Sequence, residues 1–210
     1  MPITTGRYNP SKVRFRMLDN NWPDNADQVD GTVLIAPTSI TYSGTSATVN
    51  GNGFVTFDTV GLFTLNGIFT SEYDDYIVTI ACRSNVSQPN LGYRLTSGVN
   101  VASNNYVRQN LYANGTSITS SRTTGLNQGY FCFADNSNGE WSTTGVTAYF
   151  YRPFLNSFTY SRSLSADSFS SGSILEEACG HQVAQSNTGL YVFPSSGLIT
   201  GTIGVFGVRI

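Results

Sequence analysis

The sequence predicts an all-β fold, an antiparallel β-sandwich preceded by an extended arm. Thr, Val, Ile, Tyr and Phe are common while strong helix formers are scarce, which favours strands over helices. Short runs of alternating apolar and polar residues follow one another from about residue 38 to the end, and Asn-Gly pairs separate several of them. These observations predict two parts, an N-terminal anchoring arm over residues 1–37 and a β-sandwich head domain over residues 38–210.

Few charges and many aromatic residues characterise the composition. Charged residues make up 11% of the chain, against roughly 25% in an average soluble domain. The 13 Phe and 12 Tyr predict an ordered core, since disordered segments lack aromatics. A net charge of −2 gives no reason to expect a nucleic-acid partner, and the lack of a long apolar run predicts no membrane insertion. The N-terminus has no apolar signal core, so we expect the chain to be made and kept in a cytoplasm unless something larger carries it out.

Four prolines in residues 1–37 argue against a long helix in this part of the chain. Val13, Phe15 and Met17 alternate with arginines, which predicts a short extended segment with one apolar edge. Such a segment suits β-augmentation onto a neighbouring protein, and these three residues are the predicted anchoring contacts. Two alternatives remain open. The segment could be the first strand of the same domain, or its basic cluster could bind nucleic acid, although four aspartates that follow cancel that charge.

Alternation with a period of two is clear in three runs of the head domain. In residues 76–83, Tyr, Val, Ile and Cys share one face, and in residues 145–152 the inner face is predicted to carry Val146, Ala148 and Phe150. Several such strands with turns between them indicate a sandwich. For residues 105–113, the two predicted faces are Val107, Leu111 and Ala113 on one side, and Tyr106, Arg108 and Tyr112 on the opposite side.

The last strand, over residues 199–210, is apolar on both faces. One face offers Ile203 and Val205, and the other offers Phe206, Val208 and Ile210. A strand of this kind needs cover on both sides, and in a two-layer sandwich another subunit can supply the second cover. The predicted subunit-interface residues are Ile203, Phe206, Val208 and Ile210.

A search for catalytic chemistry finds no partnered motif. His181 is the single histidine, and no G-x-S-x-G elbow accompanies it. The acidic pairs Asp74/Asp75 and Glu176/Glu177 are adjacent in sequence, so on a strand their carboxylates point to opposite faces. The three cysteines lack metal-binding spacing and are expected to be small buried side chains. We therefore expect no enzyme, no metal and no cofactor.

A set of tyrosines and arginines is predicted to point outward from the strands. Tyr and Arg are enriched where proteins contact proteins, and a tyrosine ring also stacks on sugars. Any one of them could merely stabilise a half-exposed sheet through cross-strand pairing, but as a set they predict a binding or subunit-contact surface. The set is Tyr93, Arg94, Tyr106, Arg108, Tyr112, Tyr149, Tyr151, Tyr160 and Arg162, and the predicted ligand contacts are Tyr149, Tyr151, Arg152 and Tyr160.

Three segments resemble small β-rich tail-fibre and minor tail proteins of tailed bacteriophages. Residues 66–76 (NGIFTSEYDDY) are similar to that family's NGVF-(S/T)-S-x-Y-D-N-Y segment, and residues 104–106 (NNY) to its SNY stretch. Residues 199–207 (ITGTIGVFG) resemble its closing I-(S/T)-G-T-I-x-V-Y-G strand. The resemblance implies a jelly-roll-like sandwich that is exposed on the virion and assembles as a homotrimer. It covers residues from about 60 onward and does not include residues 1–37.

Three classes of function follow from these observations. The first is a virion structural protein of the tail fibre or tail tip that contacts the host, with host cell-surface polysaccharide as a ligand. The second is a capsid decoration protein that stabilises the phage head. Most fibre proteins reach their head domain through a long shaft, and the lack of a shaft segment in this sequence favours the decoration protein. The third, a free carbohydrate-binding module or enzyme, is disfavoured by the missing signal peptide and missing paired acids. In the first two classes the arm grips another virion protein.

Overall fold

A computed structural model of the chain describes residues 31–134, 143–167 and 173–208. Within these ranges the chain forms strands that pair antiparallel, and no helix occurs. The predicted all-β antiparallel fold class is confirmed. The strands are β1 (Thr32–Leu34), β2 (Ser39–Val49), β3 (Val55–Asn66), β4 (Asp75–Ser84), β5 (Asn90–Ser97), β6 (Asn100–Val101), β7 (Tyr106–Asn114), β8 (Ser117–Leu126), β9 (Gly129–Phe133), β10 (Thr144–Tyr151), β11 (Ser157–Asp167), β12 (Ser173–Gln185), β13 (Gly189–Pro194) and β14 (Ile199–Val208).

The strands belong to one curled sheet, in which the part that contains β5 and β9 faces the part that contains β10, β11 and β12. Their order is β6-β5-β13-β3-β14-β4-β10-β11-β12-β7-β8, with β1 beside β14, β2 beside β3 and β9 beside β5. Tyr93 on β5 and Phe131 on β9 both contact Phe150 on β10, with ring centroids 5.1 and 6.0 Å apart. The β5–β9 part therefore covers the β10–β12 part as a second layer, and the sandwich forms from one continuous sheet.

The core contains the alternating apolar residues that the sequence predicts for β4 and β10. Tyr76, Val78, Ile80 and Cys82 of β4 are all buried, as are the inward residues of β10. Burying one large apolar side chain contributes about 1.5–3 kcal/mol, so these two adjacent strands anchor the sandwich. The inward residues of β10 are Thr144, Val146, Ala148 and Phe150.

The inner face of β11 is built from small hydroxyl side chains rather than apolar ones. Ser163 Oγ donates to the backbone oxygen of Phe131 at 2.9 Å, and Ser161 Oγ lies 2.6 Å from the Tyr93 hydroxyl. Among the described strands β9 pairs with β5 alone, so its other edge needs hydrogen-bond partners inside the protein. The serines leave room for β9 and satisfy part of that edge, which explains how a chain this rich in Ser and Thr still packs a core.

Aromatic rings lie over two glycines of β14, so a side chain at either position would force a ring to move. A Cβ at Gly204 would come less than 3.0 Å from the Phe54 ring, and one at Gly207 would meet the Tyr73 ring equally closely. Glycine weakens a strand because it adds no packing surface, and a ring from a neighbouring segment restores that packing. Gly204 and Gly207, two of the three glycines of β14, thus leave space for the rings of Phe54 and Tyr73.

The predicted faces of β7 are reversed. Tyr106 is fully buried and its hydroxyl accepts the Leu95 N–H at 2.9 Å, while Leu111 on the opposite face is 47% exposed. Arg108 also points inward, where it pairs with the buried carboxylate of Glu177. The side chains of β7 alternate with a period of two as predicted, but apolar character predicts the wrong inner face. Tyrosine and arginine can be buried once their polar atoms find partners.

The closing strand β14 is a central strand, paired with β4 along one edge and with β3 and β1 along the other. Ile203 is 1% exposed and belongs to the core of its own chain. Phe206 and Val208 are half-buried on the opposite face, where the Phe54 ring meets Phe206 edge-on at 5.9 Å. Part of the second cover therefore comes from within the chain. A subunit contact through Phe206 and Val208 stays a prediction, and Ile210 lies outside the described residues.

The last residues of the predicted arm belong to the β-domain. Thr32–Leu34 form β1 against β14, and the Ile35 N–H donates to the Val205 oxygen at 2.8 Å. Ile35 also packs against the core. Residues 32–35, which lie within the predicted arm, thus pair and pack with the described strands. The predicted anchoring contacts Val13, Phe15 and Met17 lie outside the described residues.

Candidate functional site

The outward side chains of β14, β4, β10, β11, β12, β7 and β8 form one continuous surface, called here the outer face. Residues directly opposite each other in antiparallel strands share a face, so the register arranges these side chains in rows. One row contains Val208, Asp75, Tyr151, Tyr160, Gly180 and Val107. The next row contains Phe206, Ile77, Tyr149, Arg162, Ala178, Gln109 and Arg122.

Three of the four predicted ligand contacts come together on the outer face. Tyr149, Tyr151 and Tyr160 are 43%, 40% and 49% exposed. Tyr151 is directly opposite Tyr160, and Tyr149 is directly opposite Arg162. The same rows continue to Phe206 and Val208, so the predicted ligand contacts and the remaining predicted subunit contacts occupy one surface. Strands rather than loops hold these side chains, which fixes their spacing.

Arg152, the fourth predicted contact, lies in the turn after β10. Its backbone N–H donates to the Asp74 oxygen at 3.0 Å and to Asp75 Oδ1 at 3.1 Å. Its φ of 52° places it in the left-handed region, which non-glycine residues adopt at a cost. The backbone of Arg152 thus closes a turn, and its side chain is exposed.

A shallow groove of about 370 Å³ crosses the outer face at Gly180, and it is called here the aromatic groove. Tyr160 and Tyr151 lie on one side of it, and Gln109 and Arg122 on the other. Sequence reasoning missed Gln109, Arg122 and Gly180. A period-two pattern shows which residues share a strand face, but it does not show which distant strands are neighbours, and β12 separates β11 from β7 here.

Aliphatic side chains occupy the other end of the outer face, and they are called here the aliphatic patch. Leu164 and Ile174 are each 56% exposed and border a second groove of about 360 Å³ above Gly145 and Ala166. Large apolar residues with this exposure, gathered on one face, are typical of contact surfaces. The patch consists of Leu111, Ile118, Leu164 and Ile174.

Two ion pairs join β12 to its neighbours, one on each face of the sheet. Adjacent Glu176 and Glu177 point to opposite faces, as the sequence predicts. On the outer face Arg162 Nε donates to Glu176 Oε1 at 2.6 Å, which raises the pKa of Arg162. On the inner face Arg108 Nε donates to Glu177 Oε2 at 2.7 Å. Burial raises the pKa of Glu177, and the guanidinium of Arg108 partly offsets this effect.

Two of the residues predicted to point outward are buried. Tyr93 is 2% exposed and Tyr106 is fully buried, and both contribute to the core. Their rings meet edge-on with centroids 6.2 Å apart, and burial raises the pKa of each hydroxyl. Neither hydroxyl requires solvent, because Ser161 Oγ and the Leu95 N–H are their hydrogen-bond partners inside the protein.

The histidine lies in the core and not on the outer face. His181 is 1% exposed, its ring lies 4.7 Å from the Tyr106 ring, and neither ring nitrogen has a hydrogen-bond partner in the structure. Burial lowers its pKa below the ordinary 6.5, so the neutral ring is favoured. The three cysteines are buried and unbridged, and burial raises the pKa of Cys82 to about 12. Among the residues that the structure describes, no three His, Cys, Asp or Glu side chains gather as metal ligands.

The comparisons with known proteins identify no relative. No family model, no curated protein and no solved structure matches the chain. Within the described ranges, no helix has the length and apolar character needed to span a membrane. Interpretation of the outer face therefore rests on its own geometry and on the resemblance in the sequence.

Proposed function

We propose that the chain is a virion structural protein of a tailed bacteriophage, a tail-fibre or tail-tip component that contacts the host surface without catalysis. The observation that carries this proposal is the cluster of Tyr149, Tyr151 and Tyr160 on the outer face, each between 40% and 49% exposed. The sequence resemblance to phage tail proteins supplies the setting, and the all-β sandwich is compatible with it.

Exposed tyrosines on a sheet suit the capture of surface polysaccharide. A tyrosine ring offers a flat apolar face to sugar C–H groups while its hydroxyl stays wetted. The three rings are carried by β10 and β11, which are paired over seven residue pairs, so little ordering is required when a ligand binds. Host polysaccharide is therefore the proposed ligand of the aromatic half of the outer face.

The aliphatic patch favours a second candidate, a capsid decoration protein that stabilises the phage head. Leu111, Ile118, Leu164 and Ile174 offer aliphatic carbon without the flat rings that suit sugars. Aliphatic surface of this kind is buried most readily against another protein. In this second candidate the outer face binds a capsid neighbour instead of a host glycan.

Particles that lack the chain distinguish the two candidates. For a tail component we expect assembled particles whose adsorption to host cells is lost while the heads keep their heat resistance. For a decoration protein we expect normal adsorption and heads that release their genome at a lower temperature. Normal adsorption with normal heat resistance would contradict both candidates.

The proposed assembly is a homotrimer that is attached to another virion protein through the N-terminal segment. Phe206 and Val208 are half-buried at the β14 end of the outer face, beside the tyrosine rows, and a subunit there would complete their cover. Sedimentation of the purified chain at micromolar concentration should give the mass of a trimer, and Phe206→Ser should shift it toward the monomer. A stable wild-type monomer would contradict this assembly.

A further inference from the structure

We propose that the aromatic groove binds an acidic saccharide, with Tyr160 as the ring platform and Arg122 as the carboxylate contact. This inference rests on the proposed function and specifies its ligand.

Tyr160 lies across the backbone of β12 because Gly180 has no side chain. A Cβ at Gly180 would come 2.9 Å from Cδ1 and Cε1 of Tyr160 and 3.2 Å from Cγ2 of Val107. The ring is therefore supported from below, while 49% of the residue remains exposed. A ring that is packed on one side and open on the other can stack on the apolar face of a pyranose. Tyr151, directly opposite on β10, extends this platform.

Polar groups surround the platform at a short distance. Arg162 lies next to Tyr160 on the outer face of β11, and Gln109 and Arg122 line the opposite side of the groove. Sugar recognition requires side chains that both donate and accept hydrogen bonds beside a stacking ring, and an amide with guanidinium groups supplies donors and an acceptor. The groove of about 370 Å³ is in the range of small-ligand sites.

The charge of the groove selects an acidic sugar over a neutral one. Arg162 is paired with Glu176, so its charge is compensated. Arg122 is exposed and, within the described part of the chain, makes no ion pair, and no carboxylate lines the groove there. A carboxylate on the ligand would form a charge-assisted hydrogen bond with this free guanidinium.

A single-stranded nucleic acid fits the groove less well than a saccharide does. Such ligands need a positive track along several nucleotides, each base stacked on its own ring. The groove offers two rings and one uncompensated cation, and the chain has a net charge of −2. An acidic peptide would use Arg122 but has no need of the Tyr160 ring.

The test is a calorimetric titration of the full chain with two carboxylate-bearing saccharides, trigalacturonate and sialyllactose. Their neutral counterparts are the methyl ester of trigalacturonate and lactose, and an oligoglutamate serves as the acidic peptide. We expect at least one acidic saccharide to bind more tightly than its neutral counterpart. Tyr160→Ala should weaken both forms, whereas Arg122→Gln should remove only the preference for the acid, a loss of about tenfold.

Arg83→Gln is the matched control. Arg83 is exposed on the same sheet face, opposite Thr200, at the end of β4 away from the groove. Its removal changes net charge equally and should leave binding unchanged. Equal loss in the two arginine variants would overturn the proposal, as would equal affinity for oligoglutamate or for the neutral sugars, or binding of neither acidic saccharide. If the titration contradicts the acidic saccharide but particles that lack the chain do not adsorb to host cells, the proposed function stands. Only the proposed ligand is then excluded.

Discussion

Arg108 and Glu177 form an ion pair in the interior of the sandwich, where it joins β7 to β12. Glu177 is 1% exposed and Arg108 is 16% exposed, and two charge-assisted hydrogen bonds join them. The guanidinium also lies 4.3 Å from the centre of the Tyr130 ring on β9. The pair therefore connects β7, β12 and the edge strand β9. We predict that Arg108→Met destabilises the protein more than Glu177→Met does.

The asymmetry follows from the different access of the two groups to water. Removing one partner of a buried pair costs about 3–5 kcal/mol because the other charge is left uncompensated. In Arg108→Met the charge left unpaired is the carboxylate of Glu177, which is buried away from solvent. The contact of the guanidinium with the Tyr130 ring is lost as well. We expect the free energy of unfolding to fall by about 3 kcal/mol, the lower end of that range. The reason is that the carboxyl of Glu177, whose pKa is raised, can take up a proton and lose its charge.

In Glu177→Met the charge left unpaired is that of Arg108, whose side chain is 16% exposed and therefore still reaches water. We expect a smaller loss, about 1–2 kcal/mol, close to that of one charged hydrogen bond. The double variant Arg108→Met/Glu177→Met should lose less than the sum of the two, with a coupling free energy of about 1 kcal/mol or more.

Urea unfolding followed by far-ultraviolet circular dichroism measures these free energies. The matched control is Arg162→Met, which removes the exposed pair with Glu176 from the same strand β12 and should leave the urea midpoint nearly unchanged. If Arg108→Met shifts the midpoint no more than Arg162→Met, or if the two single losses simply add, the buried pair does not hold these strands as described.

Three further predictions test other parts of the structure. Because burial lowers the pKa of His181, its neutral form stabilises the fold above pH 6.5, and stability should fall as pH drops below that value; His181→Phe should flatten the melting temperature between pH 7 and 5. Gly207→Ala places a methyl group against the Tyr73 ring and should lower the melting temperature, and Tyr73→Leu in the same chain should make that loss smaller; additive losses would contradict the contact. Deleting residues 1–30 should leave the melting temperature unchanged and abolish incorporation into particles, whereas deleting residues 1–37 should also lower it because β1 is removed from β14.

The fold class could be predicted from the sequence because strand alternation is a local property. In β4 and β10 the inner face is apolar apart from Tyr76, Ser84 and Thr144, so the inner face is unambiguous. In β7 both faces hold large side chains, and which face is buried depends on partners from distant strands. These partners are Glu177 for Arg108 and Leu95 for Tyr106. Such partners become visible only when the strand order is known.

The candidate site could be predicted in part for the same reason. Tyr149 and Tyr151 alternate with buried apolar residues, so their outward direction follows from the sequence. Tyr160 alternates with Thr159 and Ser161, whose burial the apolar pattern does not predict. Gln109 and Arg122 belong to the same surface only because β12 lies between β11 and β7. The role of Gly180 could not be predicted either, since its function is to leave space for the Tyr160 ring.

Adsorption of particles that carry tyrosine variants tests the proposed host contact most directly. The test variant is Tyr149→Ala/Tyr151→Ala on the outer face, and the control is Tyr42→Ala on β2, a tyrosine of similar exposure at 45%. Both proteins should melt within a few degrees of the wild type, since exposed side chains contribute little to stability. We predict that the double variant loses adsorption to host cells while the Tyr42→Ala particles adsorb normally. Normal adsorption by the double variant, with the chain present in the particles, would contradict a host contact through the outer face.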